Sequence, residues 1–421
     1  MWWTTPGQFT STARATVLSG IAIAAALVGG CSGSNDSEAP GGSSKGTGTV
    51  GSPSEGGDSR IPGAAAKLNV VTTCAMVTDI VRVVGGDRTN VEGLIGEGID
   101  PHLFTAGRND VQKLLAADVV FYSGLMLEGR MADDFARVGR KGKPVFPVTE
   151  SIDREKLREP PEFEGHWDPH VWMDVALWSE CVNNVAAEFR TLDEARADEF
   201  DARAAESEVQ AEESDAQAEE SDARAESDAA ANHRTRATQV RERAIEFRDR
   251  AVEFRALAVE FRVRADEYRK QLAELDDYIR KVVSTIPKEQ RYLITAHDAF
   301  GYFSKSYGIE VKAIQGISTD SQAAISDINS LVDFIVENKV PAIFVESSVS
   351  KKNIEAVIEG CGERGWKIRI GAELYSDAMG KPGTYEGSYI GMMDHNATKI
   401  ARALGGEAPE KGWQGKLAAE H

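Results

Sequence analysis

The chain contains 421 residues, of which 42% are apolar. Single hydrophobic cores stop growing at roughly 250–300 residues, so this length predicts more than one domain. The 48 lysine and arginine residues stand against 67 aspartate and glutamate residues, which gives a formal net charge of −19. A surface of that sign repels phosphate groups, so the composition argues against a nucleic acid or an anionic membrane surface as partner.

The longest apolar run lies near the N-terminus, over residues 15–30, and is followed by Cys31. It is shorter than the ~20 residues that a spanning helix needs, and we interpret residues 1–30 as a signal peptide for export. The segment Leu27–Cys31 resembles a bacterial lipobox, which predicts cleavage before Cys31 and acylation of that cysteine. The alternative is an ordinary signal peptide with an incidental cysteine.

Residues 31–66 are rich in glycine, serine, proline and small polar side chains, without apolar periodicity. Such a segment buries too little surface to offset the entropy of ordering, so we predict a flexible tether behind the acylated cysteine. The other cysteines, Cys74, Cys181 and Cys361, lie far apart and form no CxxC pair. Their spacing predicts buried free thiols instead of disulfides or zinc ligands.

From Lys67 onward, short β-branched runs alternate with amphipathic stretches in two separate sets. Strands that alternate with helices predict parallel sheets, and therefore two α/β lobes, over residues 67–190 and 286–421. The strand-like runs of the first set are residues 68–73, 90–95, 117–122 and 144–148, with a helix-like stretch at 78–84. Those of the second set are residues 292–296, 311–314, 342–345 and 367–370.

The stretch between the lobes forms helix throughout in our interpretation, because it contains no glycine or proline from Leu177 to Thr285. We assign residues 191–285 to a long bridging helix with inserted repeats. From Ala244 the sequence repeats every seven residues with an Ala and Phe seam, and a more acidic heptad series begins at Ala211. Pairing of the two predicts a helical hairpin. A solvated, partly frayed repeat without function is the alternative.

Two of the seven histidines follow the same dipeptide, in Asp100–His102 and Asp168–His170. The proline stiffens the chain before each histidine, and the aspartate can accept the second imidazole N–H or a backbone N–H. His297 and Asp377 each follow a strand-like run. Because ligands bind beyond the carboxyl ends of parallel strands, these four residues predict a metal site with two side chains from each lobe.

Six segments of the chain resemble, in the same order, the zinc and manganese substrate-binding lipoproteins of ABC importers, also called TroA-like proteins. These segments are residues 96–102, 168–174, 297–303, 314–319, 343–348 and 374–377. The resemblance implies two α/β lobes joined by one long rigid helix, with Zn²⁺ or Mn²⁺ as the transported ligand in the cleft. It also implies delivery of that ion to an ABC permease and anchoring outside the bacterial cytoplasmic membrane or in the periplasm.

Transferred position by position, the resemblance implies that His102, His170, His297 and Asp377 are the metal ligands. Three neutral imidazoles and one carboxylate suit tetrahedral Zn²⁺, and a carboxylate that binds through both oxygens would also accept Mn²⁺. We predict that Glu346, which follows a strand, accepts an imidazole N–H close to the metal. A capping role is the alternative for this glutamate.

The sequence departs from the family at two places. The acidic, histidine-rich loop of many zinc-specific members is absent, since residues 153–166 contain one histidine, and the repeats at about 203–264 replace a short turn. For His166 and for His395 we favour surface or packing roles over metal ligation.

Three functions of different classes fit these features. The leading one is a metal receptor without enzymatic activity. A zinc hydrolase would need an open coordination position and a general base, but the carboxylate is itself a predicted ligand and the sequence contains no HExxH motif. An adhesin or scaffold would use the helical repeats to bind another protein or a second copy of the chain, with a structural metal.

Overall fold

Parallel strands covered by helices form the body of the protein, which confirms the predicted α/β fold. The computed structural model describes residues 67–320 and 323–418. The predicted signal peptide, Cys31 and the tether lie outside the described residues. Within the described ranges, no helix is both long enough and apolar enough to cross a membrane.

The first lobe is built on a four-stranded parallel sheet. Its strands are β1 (Leu68–Thr72), β2 (Thr89–Gly93), β3 (Val119–Tyr122) and β4 (Val145–Pro147), in the order β2-β1-β3-β4. The helices that follow the first three strands are α1 (Ala75–Gly85), α2 (Arg108–Ala116) and α3 (Ala132–Arg140).

Helix α1 begins earlier than the sequence pattern predicts. The sequence pattern places the helix-like stretch at residues 78–84, but Met76 and Val77 also lie inside α1 and are fully buried. The loop after β1 contains only Thr73 and Cys74, so the helix starts almost at the edge of the sheet. Apolar side chains at the start of the helix then pack against the core, and a short apolar run does not by itself distinguish helix from strand.

Two long helices, α4 (Val175–Ala223) and α5 (Ser227–Ser284), form the predicted hairpin. The chain reverses at Ala225, whose φ is +60°. Arginines seven residues apart on α5 pair with acids seven residues apart on α4, which sets a constant antiparallel register. These pairs are Arg234–Asp222, Arg241–Asp215, Arg248–Glu208 and Arg255–Asp201.

Small side chains fill the contact between the two helices of the hairpin. At heptad spacing they bring the helix backbones close together, while larger aromatic rings close the end nearest the body. The buried residues of this contact include Ala204, Ala211 and Ala218 on α4 and Ala237, Ala244, Ala251 and Phe254 on α5. The repeats therefore form a regular helix pair and not a frayed segment.

The second lobe contains two pairs of parallel strands. Its strands are β5 (Tyr292–His297), β6 (Glu310–Gln315), β7 (Ala342–Glu346) and β8 (Arg369–Leu374), and β5 lies beside β7. Strand β5 pairs with β6, and β7 pairs with β8. Its helices are α6 (Gly301–Tyr307), α7 (Ile325–Glu337), α8 (Lys352–Glu363) and α9 (Tyr389–Ala403).

Helix α5 joins the lobes because its C-terminal part contacts both. The hydroxyl of Tyr268 donates to Asp79 on α1, 2.9 Å away, and the hydroxyl of Tyr278 is hydrogen bonded to Thr398 on α9 at 2.8 Å. Tyr389 of α9 donates to the carbonyl oxygen of Trp172 at 2.7 Å. One continuous core thus runs through both lobes below the cleft.

The three cysteines in the described part of the chain behave as predicted. Cys74, Cys181 and Cys361 are buried and free. Burial raises the pKa of the Cys74 and Cys181 thiols far above the usual value, so both stay protonated and unreactive.

Candidate metal centre

The four predicted ligand residues meet in the cleft between the lobes. His102 lies in the loop after β2, His170 lies just before α4, His297 is the last residue of β5, and Asp377 follows β8. All four side chains are buried, and one ligand atom from each lies within 4.8 Å of the others. Two of these residues come from each lobe.

The distances inside the cluster fit a small cation. The Nε2 atoms of His170 and His297 lie 3.2 Å and 3.1 Å from the two carboxylate oxygens of Asp377. The Nε2 atom of His102 lies 3.3 Å from that of His170 and 3.9 Å from Asp377 Oδ2. Ligands bound tetrahedrally at about 2.0–2.2 Å lie roughly 3.3–3.6 Å apart. The separations of 3.1–3.9 Å in the cluster are close to this range, and the widest spacing, up to 4.8 Å, has to shorten for all four to hold one ion.

The chemistry of the cluster points to a cation as well. Both carboxylate oxygens of Asp377 and the Nε2 atom of His297 are buried and have no hydrogen-bond partner within the described residues. The imidazoles of His170 and His297 face this carboxylate, and buried charges in proteins are paired or coordinate metals. The donor set, three imidazole nitrogens and a carboxylate, is one that Zn²⁺ and Mn²⁺ accept.

A carboxylate holds the ring of His170 in place. Asp168 Oδ1 lies 2.8 Å from His170 Nδ1 and also accepts the His170 backbone N–H at 3.0 Å. The other oxygen of Asp168 pairs with Arg158. With Nδ1–H donated to the carboxylate, the lone pair of Nε2 is directed at the centre of the cluster, an arrangement typical of metal-binding histidines.

Glu346 does the same for His297. Its Oε2 lies 2.5 Å from His297 Nδ1, and its Oε1 accepts the backbone N–H groups of Ala296 and His297 at 2.6 Å and 2.9 Å. Glu346 ends β7 beside the end of β5 and contacts this imidazole directly. That Glu346 orients a metal ligand stays a prediction.

His102 is held through its backbone. Asp100 Oδ1 accepts the His102 backbone N–H at 2.9 Å, while Asp100 Oδ2 accepts the hydroxyl of Thr319 from the second lobe at 2.5 Å. This aspartate therefore fixes the loop across the cleft. Thr319 ends the motif segment 314–319, but the sequence does not indicate which residue it contacts.

Burial and nearby charges shift the pKa values of the cluster in different directions. Burial lowers the pKa of His102 to about 4, which the attraction of Asp377 does not offset. For His170 burial also acts to lower the pKa, but Asp377 and Asp168 outweigh it and raise the pKa to about 9. The pKa of His297 is raised for the same reason by Glu346 and Asp377. Burial acts to raise the pKa of Asp377, but the imidazoles hold it well below its usual range.

Other candidate side chains lie outside the cluster. Exposed His166 lines a cavity of about 320 Å³ next to His102, with Arg130 and Asp320, which form an ion pair between the lobes. The Nε2 atom of His395 lies 2.9 Å from the carbonyl oxygen of Glu373. Neither histidine joins the four residues. The sequence does not indicate that Arg130 and Asp320 form an ion pair at the rim of the cleft.

The fold and the site define a class, the two-lobed α/β binding proteins that enclose a ligand in the cleft between lobes. Comparison with known proteins identifies the family within this class. The chain belongs to the family described as zinc-uptake complex component A, periplasmic (ZnuA), which it matches over residues 70–234 and 235–403. The resemblance seen in the sequence motifs is thereby confirmed.

Two relatives and one solved structure illustrate the match. The manganese-binding lipoprotein MntA of Bacillus subtilis is 38% identical over 350 residues, which cover 83% of this chain and 94% of MntA. The zinc-binding protein TroA of Treponema pallidum is 37% identical over 341 residues, 81% of this chain and 90% of TroA. The structure of periplasmic zinc-binding TroA from Treponema pallidum superposes with a TM-score of 0.64 at 36% identity, covering 80% of this chain and 99% of that one.

Proposed function

We propose that the chain is an extracytoplasmic receptor that binds one divalent ion, Zn²⁺ or Mn²⁺, between its lobes and delivers it to an ABC permease. The observation that carries the proposal is the buried cluster of His102, His170, His297 and Asp377, whose ligand atoms lie within 4.8 Å of one another. The names of the relatives, one manganese-binding and one zinc-binding, support the same class of ligand.

The carboxylate of Asp377 decides which geometry the ion adopts. Its Oδ1 faces His170 and its Oδ2 faces His297, so either one or both oxygens can bind the ion. One oxygen gives the tetrahedral set that Zn²⁺ prefers, and both give a five-coordinate site open to Mn²⁺. We expect Zn²⁺ to bind more tightly in vitro, because affinity for nitrogen and oxygen ligands rises from Mn²⁺ towards Cu²⁺ and stays higher for Zn²⁺ than for Mn²⁺.

The arrangement supports binding and release without catalysis. A catalytic metal needs an open position for water and a nearby base, but here four protein side chains surround the ion. The two adjacent carboxylates, Asp168 and Glu346, are both engaged by imidazole Nδ1 atoms. A receptor role is therefore favoured over a hydrolase.

The location proposed for the receptor depends on the N-terminal segment. We propose that residues 1–30 direct export, that Cys31 carries the lipid anchor, and that residues 31–66 tether the body to the membrane. We also keep the proposed division into lobes at 67–190 and 286–421 with a bridging segment at 191–285. The description of MntA as a lipoprotein supports the anchored arrangement.

Equilibrium dialysis with metal analysis tests the proposal. Wild-type protein should bind one Zn²⁺ per chain, and the double variant His102→Ala, Asp377→Ala should lose binding. The control His166→Ala removes an exposed histidine beside the same cavity and should leave binding unchanged. Unchanged affinity in the double variant would refute the proposed site.

A further inference from the structure

A row of exposed aliphatic side chains follows one face of α5. Ile245, Val252, Val259 and Val263 are 58%, 65%, 58% and 49% exposed. Single exposed aliphatic residues are ordinary on protein surfaces, but these recur at intervals of seven, seven and four residues along one helix. We call these four residues, together with exposed Ala256 between them, the α5 stripe.

The α5 stripe is a second apolar seam, separate from the one that packs on α4. The first seam consists of buried residues such as Ala244, Ala251 and Ala258. The stripe runs from Val252 to Val263 at spacings of four, three and four residues, the spacing of a coiled-coil seam, and it lies about 150° around the helix from the first. Helix α5 therefore presents a coiled-coil face that α4 does not cover.

The charges beside the α5 stripe determine which partner fits. Arginines recur every seven residues on one flank and glutamates on the other. The arginines are Arg241, Arg248, Arg255 and Arg262, and the glutamates are Glu246, Glu253, Glu260 and Glu267. In a parallel two-stranded coiled coil, a residue on one flank lies opposite the residue five positions later on the other flank of the partner, which pairs each arginine with a glutamate.

An antiparallel arrangement would place arginine opposite arginine and glutamate opposite glutamate. Three of the arginines, Arg241, Arg248 and Arg255, already contact acids of α4, and Arg255 contacts two of them. A guanidinium group has five N–H donors, so Arg241 and Arg248 can each serve a second carboxylate from a partner chain. The pattern of charge thus complements a second copy of the same helix in parallel orientation.

We propose that the α5 stripe is a self-association surface, on which the stripe of a second copy of this chain docks in parallel. The contact is about 27 Å long at 1.5 Å per residue. A helix pair this short buries less surface area than a stable dimer in dilute solution needs. Two copies anchored to one membrane surface experience a much higher effective concentration. This last step rests on the proposed anchoring, and parallel pairing keeps both bodies at the same end of the hairpins.

Asp249 limits the strength of the pairing. It lies in line with the α5 stripe between Ile245 and Val252, so in a parallel dimer it faces its own copy and the two carboxylates repel each other. Asp249→Val should therefore strengthen the association, because it removes this repulsion and extends the apolar seam.

Disulfide trapping in the full chain tests the orientation. Ile245→Cys and Val259→Cys should each crosslink to the same residue of a second copy when the protein is tethered to vesicles and oxidised with diamide. The control is Val209→Cys on α4, which is 55% exposed but outside the stripe. We expect crosslinking about tenfold faster than in the control. Rates equal to the control, or crosslinks formed only when Ile245→Cys and Val259→Cys chains are mixed, would overturn the proposal.

Energy transfer between labelled chains on the same vesicles tests the same surface. This measurement does not require cysteines in the α5 stripe. Val252→Glu with Val259→Glu should abolish the transfer, and Asp249→Val should increase it, while each variant still binds one Zn²⁺. Retained zinc binding separates failure of this proposal from failure of the receptor function. If the wild type stays monomeric on vesicles and its stripe instead binds a different envelope protein, the self-association proposal is wrong.

Discussion

His102 and His170 follow the same two residues, but their surroundings hold the two imidazoles in different ways. Asp168 bonds the ring of His170, whereas Asp100 bonds only the backbone of His102 and uses its second oxygen for Thr319. The pKa of His170 is raised to about 9 and that of His102 is lowered to about 4. The tripeptide thus provides a turn, and the tertiary contacts decide the charge of the histidine.

This difference assigns unequal roles to the two proposed ligands. His170 is fully buried and fixed by a carboxylate that is itself paired with Arg158, so its Nε2 is aimed before the metal arrives. His102 borders the cavity of about 320 Å³ at the rim of the cleft. We infer that His170 belongs to the preformed part of the site and that His102 completes the site from the solvent side.

The largest expected effect comes from removing each ligand in turn. Site energies of roughly 10–16 kcal/mol shared among four ligands correspond to losses of about 10²–10³-fold in affinity per ligand. We expect His170→Ala to lie at the upper end and His102→Ala at the lower end, because only His170 is fully oriented in advance. Competition with a chromophoric chelator measures both constants. An equal or larger loss in His102→Ala would contradict the unequal roles.

Changing the two aspartates tests the comparison one step further from the metal. Asp168→Asn should lower the affinity by about 10–100-fold, because it weakens the bond that orients the imidazole and makes it more basic. Asp100→Asn is the matched control, since it replaces the same residue in the same tripeptide, and we expect it to cost less than about threefold. Similar losses in both variants would show that the ring contact of Asp168 has no special effect.

Proton release distinguishes the two histidines by a different measurement. The raised pKa of His170 means that its ring carries a proton at pH 7 in the metal-free protein, whereas the lowered pKa of His102 leaves that ring neutral. Metal binds only neutral rings, so binding displaces a proton from His170 and another from His297, whose pKa is also raised, and the affinity falls as the pH drops.

Calorimetry in buffers of different ionisation enthalpy counts these protons. His170→Ala should reduce the number released at pH 7 by about one, and His102→Ala should leave it unchanged. A reduction in the His102 variant alone would reverse the assignment.

Local sequence patterns predict which side chains form the site. They do not predict the contacts between residues that lie far apart in the chain. His297 and Glu346 each end a strand that the sequence predicts, but the sequence does not give the strand order that brings β5 beside β7. Thr319 reaches Asp100 from 219 residues away, and no local pattern encodes such a contact. The hairpin was predictable from its heptads, but its turn at Ala225 was not, because neither glycine nor proline marks it.

The last prediction extends the comparison to carboxylates. Asp377 lies among imidazoles and has a lowered pKa, whereas burial beside the hydroxyl of Tyr268 raises the pKa of Asp79 to about 6. Since the folded state then binds this proton more tightly than the unfolded state, Asp79 makes stability fall as the pH rises from about 4 to 6.

Asp79→Asn isolates that effect in the metal-free protein. Between pH 4 and pH 7 the wild type should lose about 2 kcal/mol more unfolding free energy than the variant, as measured by urea unfolding. Parallel pH profiles for the two proteins would show that Asp79 does not titrate as described.

X-ray absorption at the zinc edge of the fully loaded protein is the most direct test of the account. With four side chains enclosing one ion, the spectrum should show three imidazole nitrogens and one or two carboxylate oxygens at about 2.0–2.2 Å, without sulfur. A sphere with fewer than three imidazoles, or with a sulfur ligand at about 2.3 Å, would contradict the proposed site.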